Sequence, residues 1–275
     1  MMARARADCS PLGAGALAGS SLPLDPDFVA TELGFAGRFE NSLDAVSDRD
    51  FVAEALFALT LLSVHLSRIG EEVVLWSSSE FGFVELDEAF ATGSSMLPQK
   101  KNPDAAELAR AKSGRLIGDL TGFLTTLKGL PLSYNKDLQE DKEPLFDAVD
   151  QILLLVSALD GLMATARFDG ERMRQAADEA TLAAVDLSEW LVERGVPFRE
   201  AHRAVGALVR RALAEGVALS ELVAADPALG REAVELLRAG ATVDRRRTEG
   251  GTGEAAVAIQ KENFRARILA DTARL

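Results

Sequence analysis

Between Thr92 and Arg115 the chain reads T-G-S-S-M-L-P-Q-K-K-N-P-D-A-A-E-L-A-R-A-K-S-G-R. Gly93, Ser94 and Ser95 let the backbone bend and bring hydroxyls close to a ligand. Lys100 and Lys101 follow, just ahead of Asn102-Pro103-Asp104. That triplet predicts a helix start, with Asn102 as N-cap, Pro103 in the first helical position and Asp104 facing the positive end of the dipole. Hydroxyls, ammonium groups and free helix amides thus converge, as a carboxylate-bearing anion requires. The charge distribution agrees. The chain carries a formal net charge of −13, yet Lys100, Lys101, Arg110, Lys112 and Arg115 face only Asp104 and Glu107 across this stretch. A basic island in an acidic protein focuses anions on itself.

G-S-S-M-L-P-Q-K-K-N-P-D closely resembles the signature loop of the fumarase/aspartase superfamily, and its Q-K-K-N-P-D ending is similar to that of argininosuccinate lyases. Where the superfamily usually has Met this chain has Leu97, with Met96 one position earlier, an exchange between apolar side chains of similar volume. A second segment, Y-N-K-D-L-Q-E-D-K-E from Tyr134 to Glu143, resembles the part of argininosuccinate lyases that selects the substrate. The small-residue run S-P-L-G-A-G-A-L-A-G and the stretch from Val196 to His202 also look like that family. The resemblance implies cleavage of argininosuccinate into fumarate and arginine. Ser94 would be the base, Lys100 would contact a fumaryl-side carboxylate, and Asn102, also in the substrate-binding set, would hold its neighbour in place. Tyr134, Gln139 and Lys142 would bind substrate. No cofactor and no metal are expected.

Glu107 matches a family glutamate that orients a catalytic histidine in an upstream T-H-x-Q segment. This chain spells no such segment, and the family's earlier H-T-x-x-S-R-N-D segment is missing too. Its two histidines, His65 and His202, stand in other contexts: His65 reads as a core or interface residue and His202 as a surface or capping residue. The resemblance covers the whole chain but only about three-fifths of a family member, so the chain reads as a lyase fragment, inactive in isolation. Two other readings remain open. One is a non-catalytic homologue serving structure or assembly, as lens crystallins of this fold do. The other is one half of a split lyase.

These segments need long helices to hold them. Hydrophobic residues make up 48% and aromatic ones only 6%, a mixture that favours helix–helix packing, so an all-α class is expected. A capping box over Ser47 to Asp50 predicts a helix running to about Trp76, with an apolar circumference from Ala55 to Leu66 that only neighbouring subunits could cover. A second helix runs from Pro103 to about Lys128, ended by Gly129 and Pro131. A third runs from Pro144 to about Ala166 with a stripe of Leu145, Val149, Ile152, Leu153, Val156, Leu159 and Leu162. Phe81 to Val84 reads as a short extended piece. Near Phe168-Asp169-Gly170 the helices shorten and breakers recur. The expected organisation is therefore a long-helix bundle over residues 1–168, carrying the loop stretch 92–115, followed by a smaller helical domain over 169–275.

Strong acidity argues against nucleic-acid binding. The spacing Gly13, Gly15, Gly19 does not fit the dinucleotide fingerprint and reads as a tight loop. Cys9 is the single cysteine, which fits a reducing compartment. The small-residue start lacks the leucine-rich core of an export signal, and the longest uncharged helical stretch, Ala55 to Ser67, is too short to span a membrane. A cytoplasmic homotetramer, with active sites shared between subunits and a small-molecule substrate, is the expectation.

Overall fold

A computed structural model describes residues 2–97, 100–178 and 180–274, without the side chains of Met2 and Ala180. The chain divides into two compact units, Met1–Phe168 and Asp169–Leu275. In the first, three short helices, α1 (Met2–Ala7), α2 (Pro26–Glu32) and α3 (Ser42–Ser47), precede the long α4 (Asp50–Trp76), α5 (Asp104–Leu127) and α6 (Lys142–Thr165). Two-residue strands form three small ladders. β1 (Cys9–Ser10) pairs in parallel with β2 (Gly37–Arg38), β3 (Val84–Glu85) pairs antiparallel with β6 (Arg167–Phe168), and β4 (Thr92–Gly93) pairs antiparallel with β5 (Lys101–Asn102).

The three long helices form one bundle because each turns an apolar stripe inward. Val52 and Leu56 of α4, Leu116 and Phe123 of α5, and Ala148 and Ile152 of α6 make one core. Val73, Ala106 and Leu162 make another, with Val84 and Leu86. α4 and α5 approach so closely that a Cβ on Gly70 would lie 2.5 Å from the carbonyl oxygen of Ala106. Buried hydroxyls on this seam are satisfied: Thr60 donates to the Leu116 carbonyl at 3.1 Å, and Ser63 to that of Thr60 at 2.7 Å.

Several expectations are corrected. The Ser47 hydroxyl does not cap α4; it donates back to the Leu43 carbonyl at 2.9 Å, inside α3. α4 starts at Asp50, where the Asp48 carboxylate accepts from the Asp50 amide. Asn102 is not an N-cap. It lies in β5, opposite Thr92, and Pro103 takes the cap position without a side-chain bond. On α6 the inward stripe is Ala148, Ile152, Leu155, Leu159 and Leu162, whereas Val149, Leu153 and Val156 face outward. The α4 circumference is half covered: Phe57 (57% exposed), Leu61, Leu62 and Ile69 lie open, and so does His65, which is no core residue of its own chain. By length and composition α4 could also cross a membrane, its best 18-residue window having a mean hydropathy of 1.5.

The Gly13–Gly19 segment is a tight loop. Gly13 and Gly15 take φ of +101° and +62°, and a Cβ on Gly15 would sit 2.5 Å from the Gly19 carbonyl oxygen. Side chains cannot occupy that turn, so the glycines have a backbone reason.

The second unit holds α7 (Gly170–Ala177), α8 (Ala184–Glu193), α9 (Phe198–Glu215), α10 (Leu219–Ala225), α11 (Gly230–Ala233), α12 (Ala241–Asp244) and α13 (Glu254–Thr272). Leu187 and Leu191 of α8 pack on Ala201 and Val205 of α9 and Val223 of α10. The fully buried Asp186 accepts from Arg245 at 3.1 Å and Arg246 at 3.0 Å. A buried charge needs such partners. His202 is exposed, its ring 6.1 Å from that of Phe198.

Candidate active site

β4 and β5 form the stem of the loop that carries Ser94 and Lys100. Thr92 stands opposite Asn102, and Gly93 opposite Lys101. The Thr92 hydroxyl donates to the Asp104 carboxylate on the first turn of α5, tying stem to helix. Within the loop the half-buried Ser94 turns its oxygen toward the backbone amides of Met96, at 3.2 Å, and Leu97, at 3.1 Å. Two N–H groups aimed at one hydroxyl oxygen favour its anionic form. Lys100 follows a turn in which its amide donates to the Leu97 carbonyl at 3.0 Å. Its ammonium is exposed and has no partner among the described residues. Glu107 is exposed on the first turn of α5, near enough to Arg110 for its charge to act on that guanidinium, and neither histidine bonds to it.

The second segment lies elsewhere. Tyr134 and Gln139 are exposed and Lys142 opens α6, which runs beside α5 with Asp147 against Arg115 at mid-helix, while Ser94, Lys100, Asn102 and Glu107 belong to the N-terminal end of α5. Within this segment Lys136–Asp141 winds into a 3-10 helix. Ser133, just before Tyr134, adopts φ of +78°, a strained value for a residue with a side chain. The Asn135 amide supports it, donating to the carbonyls of Ser133 at 3.1 Å and Pro131 at 3.0 Å.

Two residues in this region escaped the sequence reading. Arg49, just before α4, donates to the buried Asp141 carboxylate at 2.6 Å, and Lys142 donates to its other oxygen at 2.7 Å. Burial pushes the Asp141 carboxyl up, but hydrogen bonds and charge from Lys142 and Arg49 outweigh burial and hold it below its ordinary range. Lys142 is thereby fixed, with ammonium protons left for a ligand. Nothing in the local spelling links Arg49 to a residue 92 positions away.

A long-helix bundle with a hydroxyl-and-lysine loop at the start of one helix is the architecture that the resemblance to the fumarase/aspartase superfamily implies. The family model described as Lyase matches residues 1–118, and that described as argininosuccinate lyase C-terminal matches residues 181–241. An argininosuccinate lyase from Frankia casuarinae is 61% identical over 252 residues, covering 90% of this chain and 54% of that protein. Among solved structures, EDDS lyase in complex with formate superposes with a TM-score of 0.88 at 33% identity, over 99% of this chain and 57% of that one. An EDDS lyase variant with bound fumarate gives 0.87 at 32%, with the same coverage. The chain belongs to the argininosuccinate lyase family. It spans about half the length of the curated relatives it matches.

Proposed function

We propose that this chain supplies the proton-abstracting loop and the substrate-selecting segment of an argininosuccinate lyase, which releases fumarate and arginine by β-elimination. The observation that carries the reading is Ser94, whose oxygen receives two backbone N–H groups on a loop of the family's spelling. The reaction must remove a weakly acidic C–H proton beside a carboxylate. Ser94, stabilised as alkoxide by the Met96 and Leu97 amides and by Lys100, takes that proton. The charge then developing on the carboxylate lies against Lys100 and Asn102. As the C–N bond breaks, its electron pair leaves with the guanidino nitrogen, which needs a proton from an acid. Tyr134, Gln139 and Lys142 bind the substrate. The fumarate bound to the EDDS lyase variant, a protein of closely similar fold, is in keeping with this product.

The two groups of residues belong to different stretches along α5, and on this reading a complete site draws them from different copies of the chain. Together with the open apolar faces of α4 and α6, this supports a homotetramer with shared sites. The acidic chain and its single, free Cys9 suit a soluble cytoplasmic enzyme that binds no nucleic acid.

Glu107 has no histidine to orient, which favours the second reading for the 275 residues alone: an assembly-competent subunit, or half of a split lyase, that needs a T-H-x-Q segment from elsewhere. Loss of one acid–base group typically costs about 10²–10⁴-fold. Purified chain is therefore expected to release fumarate from argininosuccinate at least 10²-fold more slowly than an ordinary family enzyme, and to speed up when a polypeptide carrying that segment is added. Full turnover by the chain alone overturns the assignment of roles.

A further inference from the structure

The two adjacent lysines of the loop have different surroundings. The Lys100 ammonium has no partner among the described residues, whereas the Lys101 ammonium donates to the Glu85 carboxylate at 3.3 Å. Glu85 is held in turn. It belongs to β3, where it stands opposite Arg167 of β6, and the neighbouring Val84 is buried in the bundle core. Lys101 belongs to β5, opposite Gly93, one residue before Ser94. Glu85, Lys101 and Arg167 also line a polar cleft of about 270 Å³.

We propose that Lys101 is a positioning residue: through Glu85 it tethers the stem of the Ser94–Lys100 loop to the β3–β6 ladder and so sets how readily the loop opens. In extended backbone, successive side chains point to opposite faces. Committing Lys101 to Glu85 also turns its strand neighbour Asn102 away from that carboxylate, and Lys100, which precedes β5, stays available for an anion. The stem ladder is only two residues long and has few bonds of its own, so one more tether matters. Both partners are partly exposed, which makes the tether weak and reversible, as a loop that must admit and release ligand requires. What the loop closes over rests on the lyase reading; the tether itself does not.

Amide hydrogen exchange, followed by mass spectrometry on peptides covering residues 92–102, tests it. Lys101→Ala and Glu85→Ala are each expected to quicken exchange there by about two- to five-fold, the range of a partly exposed ion pair, and to leave α4 unchanged. Lys101→Arg should retain the slow exchange, and the charge reversal Glu85→Lys with Lys101→Glu should restore most of it. Unchanged exchange in Lys101→Ala, quickening that the reversed pair does not restore, or quickening spread over the whole bundle each overturns the proposal. Adding fumarate to the unmodified chain probes the lyase reading separately: protection of the same peptides supports it, and its absence counts against that reading while leaving the tether standing.

Discussion

Ser94 precedes α5, whose 24 residues span about 36 Å, whereas Lys142 opens α6 beside the C-terminal half of α5, one turn before Asp147 pairs with Arg115. On the proposed lyase reading, the two residues serve one reaction through a site shared between copies of the chain. In an assembly supplied with T-H-x-Q and H-T-x-x-S-R-N-D segments, Ser94→Ala and Lys142→Ala are each expected to lower turnover by about 10²-fold or more. Mixed and reassembled, the two variants should recover part of the activity, because some sites then combine an intact Ser94 from one copy with an intact Lys142 from another. Fumarate release before and after mixing measures this. No recovery from well-formed mixed assemblies would place both residues in one chain's site.

The pH dependence of stability follows from two aspartates that shift in opposite directions. Asp141 lies below its ordinary range, so its contribution is complete above the unfolded value and disappears as acid protonates it in the folded chain. Asp119 on α5 is raised, first by burial, then by the nearby Asp147 charge and a hydrogen bond with it, against a pull from Arg115. A raised carboxyl makes the folded state the better proton acceptor, so stability from Asp119 increases as pH falls through its folded value. Asp119→Asn should raise the melting temperature at neutral pH. Arg49→Ala, which removes one charged donor from Asp141, should cost about 1.5–3 kcal/mol at neutral pH, and less in acid where Asp141 is neutral. Thermal melts of both variants at neutral and acidic pH check the signs.

Gly70 marks the closest approach of the long helices. A methyl there meets the Ala106 carbonyl oxygen at 2.5 Å and the Ala109 Cβ at 3.3 Å, and neither is the free end of a flexible side chain. Gly70→Ala should therefore destabilise the chain by about 1–3 kcal/mol, although alanine is the better helix former. A melting temperature equal to or above that of the unmodified chain would show that α4 and α5 can part at little cost.

The long helices were legible because their stops are local: Gly129, at φ of +84°, ends the region of α5 within a residue or two of the expected place. Their starts were less so. Ser47 and Asn102 are good caps by type, but tertiary context used them otherwise, Ser47 inside α3 and Asn102 in the stem ladder. The inward face of α6 was misread because its stripe mixes Ala148 and Leu155 with outward leucines and valines, and a sequence apolar on two faces does not say which one its own chain covers. At the candidate site, Ser94 and Lys100 were visible as a motif. The Arg49–Asp141 bond was not, since a contact across 92 positions leaves no periodic trace.

The outward apolar faces carry the last prediction, that the chain does not persist as a monomer. Phe57, Leu61 and Leu62 on α4, and Phe146, Leu153 and Leu154 on α6, all lie open, Phe146 and Leu153 more than 60% so. Monomeric soluble proteins rarely expose such contiguous patches. Each large apolar side chain buried on association contributes roughly 1.5–3 kcal/mol, so a few per chain exceed the roughly 4–15 kcal/mol that association costs. Closed symmetry buries the same patch on every copy, which favours a discrete tetramer over open growth. Light scattering at micromolar concentration is expected to give a mass near four chains. Replacing Phe57 and Leu61 on one helix face by Glu should lower that mass while retaining helicity by circular dichroism, because neither side chain belongs to the chain's own core. A sharp-melting monomer of the unmodified chain would mean that water is tolerated on these faces. Recovery of the chain in the membrane fraction would mean that lipid, rather than a second copy, covers α4.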